Sequence, residues 1–127
     1  MEIPLNLKYT QDHEWVLVNG KIVTVGITDF AQRELGDIVY VEVETIGEVL
    51  KVDDIFGTVE AVKTVSDLFL PVSGKIVEFN ESLDNYPEEV NNDPYGNGWM
   101  IKVELDNPDE LNNLLSPQEY KKLVGGD

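Results

Sequence analysis

Short stretches in which apolar and polar residues alternate recur along the chain and predict a mainly β protein. The pattern is clearest over residues 39–44 and 99–105. Successive side chains of a strand point to opposite faces, so an alternation of period two indicates strands with one buried face. The apolar positions of these two stretches are Val39, Val41, Val43, Trp99, Ile101, Val103 and Leu105.

A tight hairpin is predicted near the N-terminus, where β-branched runs over residues 16–18 and 21–25 flank Asn19 and Gly20. An Asn-Gly pair favours a type I′ turn, because both central residues of that turn have positive φ. We therefore expect Asn19 and Gly20 to form the turn.

Capping signals predict short helices at the edges of this β structure. Thr28 precedes a helical pattern that Gly36 closes. Asn107 and Ser116 each precede a proline and have a glutamate three residues on, as at a capped helix start. The expected helices cover about residues 28–35, 107–115 and 117–123.

The central region contains a degenerate internal repeat. When the sequence is shifted so that Gly47 falls on Gly74, apolar positions coincide, for example Val41 with Leu68. Two units are too few for a solenoid and favour two quasi-symmetric halves packed on each other. We expect a flattened barrel or sandwich forming a single domain over residues 1–127, with Gly74 as a turn glycine of positive φ; chance alignment of two β-rich segments is the alternative.

The chain is strongly acidic, with a formal charge of −16. The negative electrostatic field of this charge repels nucleic acids and anionic membranes, so we expect macromolecular partners with basic surfaces. The alternative is that the charge serves only to keep the protein soluble. Four of the acidic residues lack the spacing of a metal site, and we interpret them as a solvated face that meets basic partners. Its members are Glu42, Glu44, Asp53 and Asp54.

Cysteine is absent, which excludes a disulfide framework, a thiolate metal site and a cysteine nucleophile. The lone histidine, His13, is interpreted as a hydrogen-bonded structural residue, and no metal is expected. No apolar run is long enough to cross a bilayer and no leader is recognisable. We expect a soluble cytoplasmic protein, or a mitochondrial matrix protein if the source is eukaryotic and the chain is processed.

Lys63 lies between two apolar stretches predicted as strands, about Ile55–Val62 and Val65–Leu70, so that Lys63 and Thr64 form the turn. Taken alone, this is an ordinary exposed lysine. However, residues 60–74 resemble the lipoyl-attachment segment of glycine cleavage H-proteins. The resemblance extends from about Tyr9 to Leu105 and includes Tyr9-Thr10, His13-Glu14-Trp15, Gly26-Ile27-Thr28, Leu35-Gly36-Asp37 and Asn92-Asp93-Pro94-Tyr95-Gly96.

The resemblance implies a lipoyl-domain-like fold in which Lys63 carries lipoic acid in amide linkage. Glu60 and Gly74 match the positions by which lipoylating enzymes recognise the hairpin, and Val62 and Thr64 flank the lysine. Ala61 and Leu70 depart from the common family pattern without touching these positions.

The implied function is that of a non-catalytic carrier in glycine breakdown. A pyridoxal-phosphate glycine decarboxylase would load an aminomethyl group onto the arm, and a tetrahydrofolate-dependent aminomethyltransferase would unload it. A dihydrolipoamide dehydrogenase with FAD and NAD would reoxidise the dithiol, and a lipoate-attaching enzyme would install the arm. We found no nucleophile with its base, metal cluster or phosphate loop that would indicate an enzyme.

Glu14 is a hypothetical partner for the cationic amine of the loaded arm, which would be protected against hydrolysis by folding back on the protein. Two other carriers remain as alternatives. One is an H-like relay that passes lipoyl groups to 2-oxoacid dehydrogenases. The other is a biotin carrier, although biotin acceptors usually have methionines beside the lysine, where this chain has Val62 and Thr64.

Overall fold

A computed structural model describes residues 1–125; Gly126 and Asp127, the last two residues of the expected domain, lie outside the described part. The strands are β1 (Lys8–Tyr9), β2 (Glu14–Asn19), β3 (Ile22–Ile27), β4 (Ile38–Glu42), β5 (Val49–Leu50), β6 (Ile55–Ala61), β7 (Val65–Phe69), β8 (Gly74–Phe79) and β9 (Ile101–Leu105). The α-helices are α1 (Asp29–Leu35), α2 (Glu89–Asn92) and α3 (Pro117–Leu123), and 3-10 helices span Glu81–Asp84 and Pro108–Asn113.

The strands form two antiparallel sheets. One has six strands in the order β1-β2-β3-β9-β8-β5, and the other has three in the order β4-β6-β7. Both sheets contribute to one cluster of buried side chains, including Val41 and Phe56 from the smaller sheet and Ile101 and Val103 from the larger. The prediction of a mainly β sandwich is confirmed, and the sheets do not close into a barrel.

A second buried cluster joins the two ends of the chain. Tyr9 of β1 stacks on Tyr120 of α3, with ring centroids 4.6 Å apart and planes 9° apart. Trp15 packs with them and donates its indole N–H to the carbonyl of Pro94 at 2.9 Å. Buried aromatic side chains of this kind contribute large apolar area and need a partner for each polar tip. The cluster fixes the start of β2, where Glu14 lies.

The predicted N-terminal hairpin is present, but the predicted turn is wrong by one residue. Asn19 pairs with Ile22, so the two-residue loop consists of Gly20 and Lys21. Only Gly20 has positive φ, at 64°. A positive φ confined to the first loop residue is typical of a type II′ turn rather than the expected type I′ turn.

The helices begin as the capping signals predicted. The Thr28 hydroxyl accepts from the amide of Ala31, and Ser116 and Glu119 form a reciprocal capping box at the start of α3. The segment expected as a helix over 107–115 is a shorter 3-10 helix, Pro108–Asn113, started by the Asn107 side chain. A short segment of this kind is often 3-10 rather than α.

Two details of the strand and repeat predictions are wrong. A bulge between Ile38 and Tyr40 breaks the alternation in β4, so Val39 is exposed rather than buried. Of the two glycines that the repeat aligns, only Gly47 has positive φ. Gly74 instead begins β8 in a close contact with β9, so the two positions have different structural roles.

Candidate functional site

Lys63 lies at the tip of the β6–β7 hairpin. Glu60 pairs with Val65, and the amide of Ala61 donates to the carbonyl of Thr64 at 2.7 Å. The loop is therefore Val62-Lys63, one residue earlier than the predicted Lys63-Thr64 turn. The prediction that this lysine is exposed at a hairpin tip is confirmed.

The Lys63 side chain leans towards the end of α1 rather than straight into solvent. A Cβ atom built on Gly36, the C-cap of α1, would lie 3.4 Å from Lys63 Cε and 3.9 Å from Nζ. Gly36 also has a positive φ of 81°. A side chain at this position would be strained because of the positive φ, whereas its Cβ would make only ordinary van der Waals contact with the Lys63 stem.

The hairpin tip is held by the segment that follows α1. The amide of Val62 donates to the carbonyl of Asp37 at 3.0 Å. Asn91 of α2 supports this segment from behind, because its Oδ1 accepts from the Ile38 amide at 2.9 Å and its Nδ2 donates to the Gly36 carbonyl at 2.9 Å. Sequence reasoning missed Asn91, since its partners lie more than fifty residues away along the chain.

The other residues expected to serve lipoylation lie in different environments. Glu60, Val62 and Thr64 are exposed close to the lysine, with Val62 75% exposed. Gly74 is buried in the other sheet, where a built Cβ would overlap the carbonyl oxygen of Glu104. Its position requires glycine for close packing of β8 on β9. A role for Gly74 in recognition stays a prediction, and any such role is indirect.

A groove of about 230 Å³ runs between α1 and β7. Leu35, one of its lining residues, directly precedes Gly36, which lies beside the Lys63 stem, but Lys63 itself does not line the groove. Its apolar lining is Ile27, Phe30, Ala31, Leu35, Val59 and Leu68, and its polar lining is Asp12, His13, Glu14, Glu34, Ser66 and Asp67. The groove thus combines an apolar floor with several carboxylates.

Glu14 is a buried acid, and within the described residues 1–125 no salt bridge pairs it with a cation. Its side chain accepts from the amide of Phe69 at 2.9 Å and from the Thr10 hydroxyl at 3.3 Å, and the residue is 2% exposed. The salt bridges within residues 1–125 are Arg33 with Asp29 and Lys102 with Glu78. Burial raises the pKa of Glu14 to about 8, against the opposing effect of the Phe69 hydrogen bond.

His13 has the structural role predicted for it. Its backbone is in the left-handed region, with φ of 66°, and its Nδ1 lies 2.9 Å from the Tyr120 hydroxyl. The same hydroxyl lies 2.7 Å from the Thr28 hydroxyl, which caps α1. Burial lowers the pKa of His13 and favours the neutral ring. The histidine and α1 are thereby held together at one wall of the groove.

Among residues 1–125, no group of three or more His, Asp or Glu side chains is arranged to hold a metal ion. The acidic residues Asp53 and Asp54 are exposed next to β6, as a solvated face requires, and their docking role stays a prediction. Within the same described part of the chain, no helix is both long and apolar enough to cross a membrane.

Comparisons with known proteins agree with the resemblance seen in the sequence. The family model for the glycine cleavage H-protein matches residues 7–126. The chain is 61% identical over 127 residues to the glycine cleavage system H protein of Chlorobium phaeobacteroides, covering 98% of this chain and 99% of that one. It is 55% identical over 122 residues to that of Carboxydothermus hydrogenoformans, covering 96% and 94%.

Structural similarity points the same way. The crystal structure of a glycine cleavage system H protein from Mycobacterium marinum is similar to this fold with a TM-score of 0.88 at 40% identity, covering 97% of this chain and 99% of that chain.

Proposed function

The chain belongs to the glycine cleavage H-protein family, and from this premise we propose that it is the lipoyl-bearing shuttle of the glycine cleavage system. In this role it carries the aminomethyl group of glycine from glycine decarboxylase to the aminomethyltransferase, and the dithiol to dihydrolipoamide dehydrogenase. It performs no bond change itself. The observation that carries the proposal is the exposed Lys63 on a two-residue loop between paired strands.

The residues around Lys63 fit a covalently attached lipoyl group. Its side chain is exposed for acylation, its stem lies beside Gly36, and hydrogen bonds with Asp37 and Asn91 support the loop. When attached by an amide to Nζ, the lipoyl group supplies a dithiolane for thiol exchange at the end of a long flexible chain. The sheet presents the arm, and the exposed tip leaves the arm free to reach other proteins.

Glu14 and the groove would protect the loaded arm. The groove is lined by Leu35 at the end of α1, by Ser66 and Asp67 of β7, and by the buried Glu14. Burial of the unpaired acid raises the pKa of Glu14 to about 8 and favours its protonated form, and a cationic amine entering the groove would stabilise the ionised carboxylate by pairing with it. The apolar floor would exclude water from the adduct. The carboxylates of Asp12, Glu34 and Asp67 favour the same cationic cargo.

Lys63 is proposed as the lipoylation site, with Glu60, Val62 and Thr64 contacting the attaching enzyme and Gly74 acting through the packing of β8. The compartment is proposed to be the cytoplasm, or the mitochondrial matrix for a processed eukaryotic protein. We further propose that residues 1–127 form one domain, because both sheets contribute to one core. Neither the lipoyl relay nor the biotin carrier is favoured by the relatives found.

The decisive experiment replaces Lys63 with arginine, with Lys51→Arg as the matched control at another exposed lysine. Each protein is incubated with a lipoate–protein ligase, lipoic acid and ATP, and its intact mass is measured. The wild type and Lys51→Arg, which both retain Lys63, should each gain one lipoyl group. Lys63→Arg should gain none.

The lipoylated wild type should also support exchange of carbon dioxide into glycine by glycine decarboxylase, whereas Lys63→Arg should not. A lipoylated protein that the decarboxylase ignores, but that donates its lipoyl group to a 2-oxoacid dehydrogenase component, would contradict the shuttle and favour the relay.

A further inference from the structure

A second cavity, of about 500 Å³, adjoins the groove at Glu14. Its volume lies within the range of about 300–1,000 Å³ that is usual for ligand sites. Asp12 and Glu14 line both the cavity and the groove, whereas the remaining walls of the two differ, so the two concavities meet at these acids. We call this second cavity the rear cavity; it is lined by residues 9–12, 14, 52–53, 69–71 and 113–115.

Backbone hydrogen bonds hold the walls of the rear cavity in place. Tyr9 and Leu115 bond to each other through both of their amides, at 2.9 and 2.7 Å. The amide of Asp53 donates to the carbonyl of Leu70 at 2.8 Å, and the amide of Leu70 donates to the carbonyl of Asp54 at 2.8 Å. The cavity is therefore formed before any ligand enters it, as is usual for a binding site.

The carboxyl group of Glu14 lies at the wall of the rear cavity. Its two hydrogen-bond donors, the Phe69 amide and the Thr10 hydroxyl, belong to residues that line the cavity and do not line the groove. Glu14 is 2% exposed, and neither of the salt bridges found within residues 1–125 neutralises it. A cation that enters the cavity would therefore meet a buried acid whose charge it can balance.

The rest of the rear cavity fits the side chain of an arginine or a lysine. Leu70 and Pro71 are buried and Leu114 is half-buried, so they offer apolar surface to an aliphatic stem. Asp12 and Asp53 are exposed carboxylates that line the same cavity and attract a cation towards it. Long basic side chains pack their stems on apolar surface in this way. Arginine is the better fit, because its weakly hydrated guanidinium suits buried ion pairs.

A cation in the rear cavity and the cargo amine in the groove would compete for Glu14. One carboxylate carries a single negative charge, and two cations beside it repel each other at a buried site that salt screens weakly. Each cation therefore weakens the binding of the other by the same factor. Entry of a basic side chain into the cavity would release the amine from the groove.

Among the enzymes of the proposed cycle, the aminomethyltransferase is the one that needs this release. Glycine decarboxylase delivers cargo that the groove should retain, and dihydrolipoamide dehydrogenase acts after the cargo has left. We propose that the rear cavity receives a basic side chain of the aminomethyltransferase, which pairs with Glu14 and frees the cargo amine for transfer. The proposal rests on the proposed function, and it adds the contact that ends the protection of the cargo by Glu14.

The first test blocks the rear cavity. Val52→Trp places a bulky ring at a cavity-lining position that is 43% exposed. When the lipoylated, loaded variant is given to the aminomethyltransferase with tetrahydrofolate, KM for the protein should rise about tenfold. Loading by glycine decarboxylase should stay within about twofold of wild type. The matched control is Val49→Trp, at an exposed position of β5 outside the cavity, and it should be unloaded normally.

Asp53→Asn gives a second variant that alters the charge of the rear cavity rather than its shape, so the result does not depend on one variant folding. Asparagine tolerates the left-handed backbone of this position, where φ is 72°. KM for unloading should rise about threefold at low salt and less at high salt, because salt screens the attraction of an exposed charge.

The second test places a cation in the rear cavity without any enzyme. Loaded Asp53→Lys should lose its aminomethyl group to water about tenfold faster than loaded Glu48→Lys. The control makes the same change in net charge at an exposed position outside the cavity. When Glu14 is already replaced by glutamine, Asp53→Lys should add no further acceleration, because both effects act through the same carboxylate.

Unloading of Val52→Trp and Asp53→Asn with wild-type KM would overturn the proposal, as would equal rates of cargo loss from Asp53→Lys and Glu48→Lys. A defect of Val52→Trp in loading rather than in unloading would assign the rear cavity to glycine decarboxylase and would overturn the proposal too. Failure of the wild type to be lipoylated or loaded would instead refute the proposed function.

Discussion

At the scale of single residues, the most consequential feature is a glutamate placed where acids are rarely found. Glu14 is buried and accepts hydrogen bonds from Phe69 and Thr10, yet neither of the salt bridges formed in the described part of the chain involves it. Burial of an unpaired acid favours its protonated form, which is why its pKa is raised to about 8. The folded protein therefore holds a proton on Glu14 over a pH range in which the unfolded chain has released it.

This proton makes stability depend on pH. Because the folded state binds the extra proton, the free energy of unfolding falls as pH rises from about 4.5 to about 8. His13, whose pKa is lowered from 6.5, has the opposite effect below pH 6.5 and none above it. Between pH 6.5 and 8 we expect the wild type to lose about 2 kcal/mol through Glu14.

Glu14→Gln should remove this loss, and Glu48→Gln, at an exposed position, should retain it. Urea unfolding at several pH values measures the difference. An identical slope in wild type and Glu14→Gln would show that Glu14 does not titrate in this range. The same variant, once lipoylated and loaded, should lose its aminomethyl group to water faster than wild type if Glu14 protects the arm.

At the scale of elements, the hairpin that presents Lys63 depends on a contact from a distant helix. Its strands are paired along their length, but its tip is fixed by the Val62 amide bonding to Asp37 and by Asn91 holding the segment from Gly36 to Ile38. A two-residue loop alone would allow the tip to move as the ladder frays. The support from α2 restricts that motion, so the lysine is presented in one direction.

Asn91→Ala should therefore loosen the hairpin tip. The change leaves the Ile38 amide and the Gly36 carbonyl without their partner, at a cost of about 1–3 kcal/mol. Hydrogen exchange of the Val62 amide should become faster than in wild type, and the lipoylation KM should rise. The matched control is Asn92→Ala, at the exposed next position of the same helix. Unchanged exchange at Val62 in Asn91→Ala would contradict the supporting role.

At the scale of the whole molecule, a chain of charge −16 has to meet several partners in turn. Long-range attraction accelerates association with basic surfaces and is screened by salt. Brief encounters suit a shuttle, since a carrier that bound one enzyme tightly would not reach the next. The acidic face beside β6 and the negative groove therefore fit one proposed pattern, in which charge guides the encounters with basic partners.

Reversing Glu42, Glu44, Asp53 and Asp54 to lysine should weaken binding to glycine decarboxylase and flatten the dependence of Kd on salt. A control that reverses four acids elsewhere has the same net charge and should behave more like the wild type. The control acids are Glu81, Asp84, Glu88 and Glu104. Titration calorimetry at two ionic strengths compares the variants. Equal losses in both would indicate that total charge, and not this face, steers the encounter.

The sequence by itself determined what local chemistry controls. Alternation predicted the strands, Thr28 and Ser116 predicted the helix starts, and the apolar stretches on either side of Lys63 predicted a hairpin with this lysine at its tip. These features depend on residues that are only a few positions apart, so a short stretch of sequence is enough to predict them.

Tertiary structure decided the rest. The turn of the N-terminal hairpin lies at Gly20-Lys21, one residue later than predicted, because strand register, set by pairing along the whole strand, determines which residues close the loop. The burial of Glu14 against Phe69, the support of the hairpin by Asn91, and the meeting of Tyr40 with Glu60 each join segments that are distant along the chain or lie on different strands. Burial, pairing and electrostatic environment arise only when such segments pack together, because no local preference specifies them.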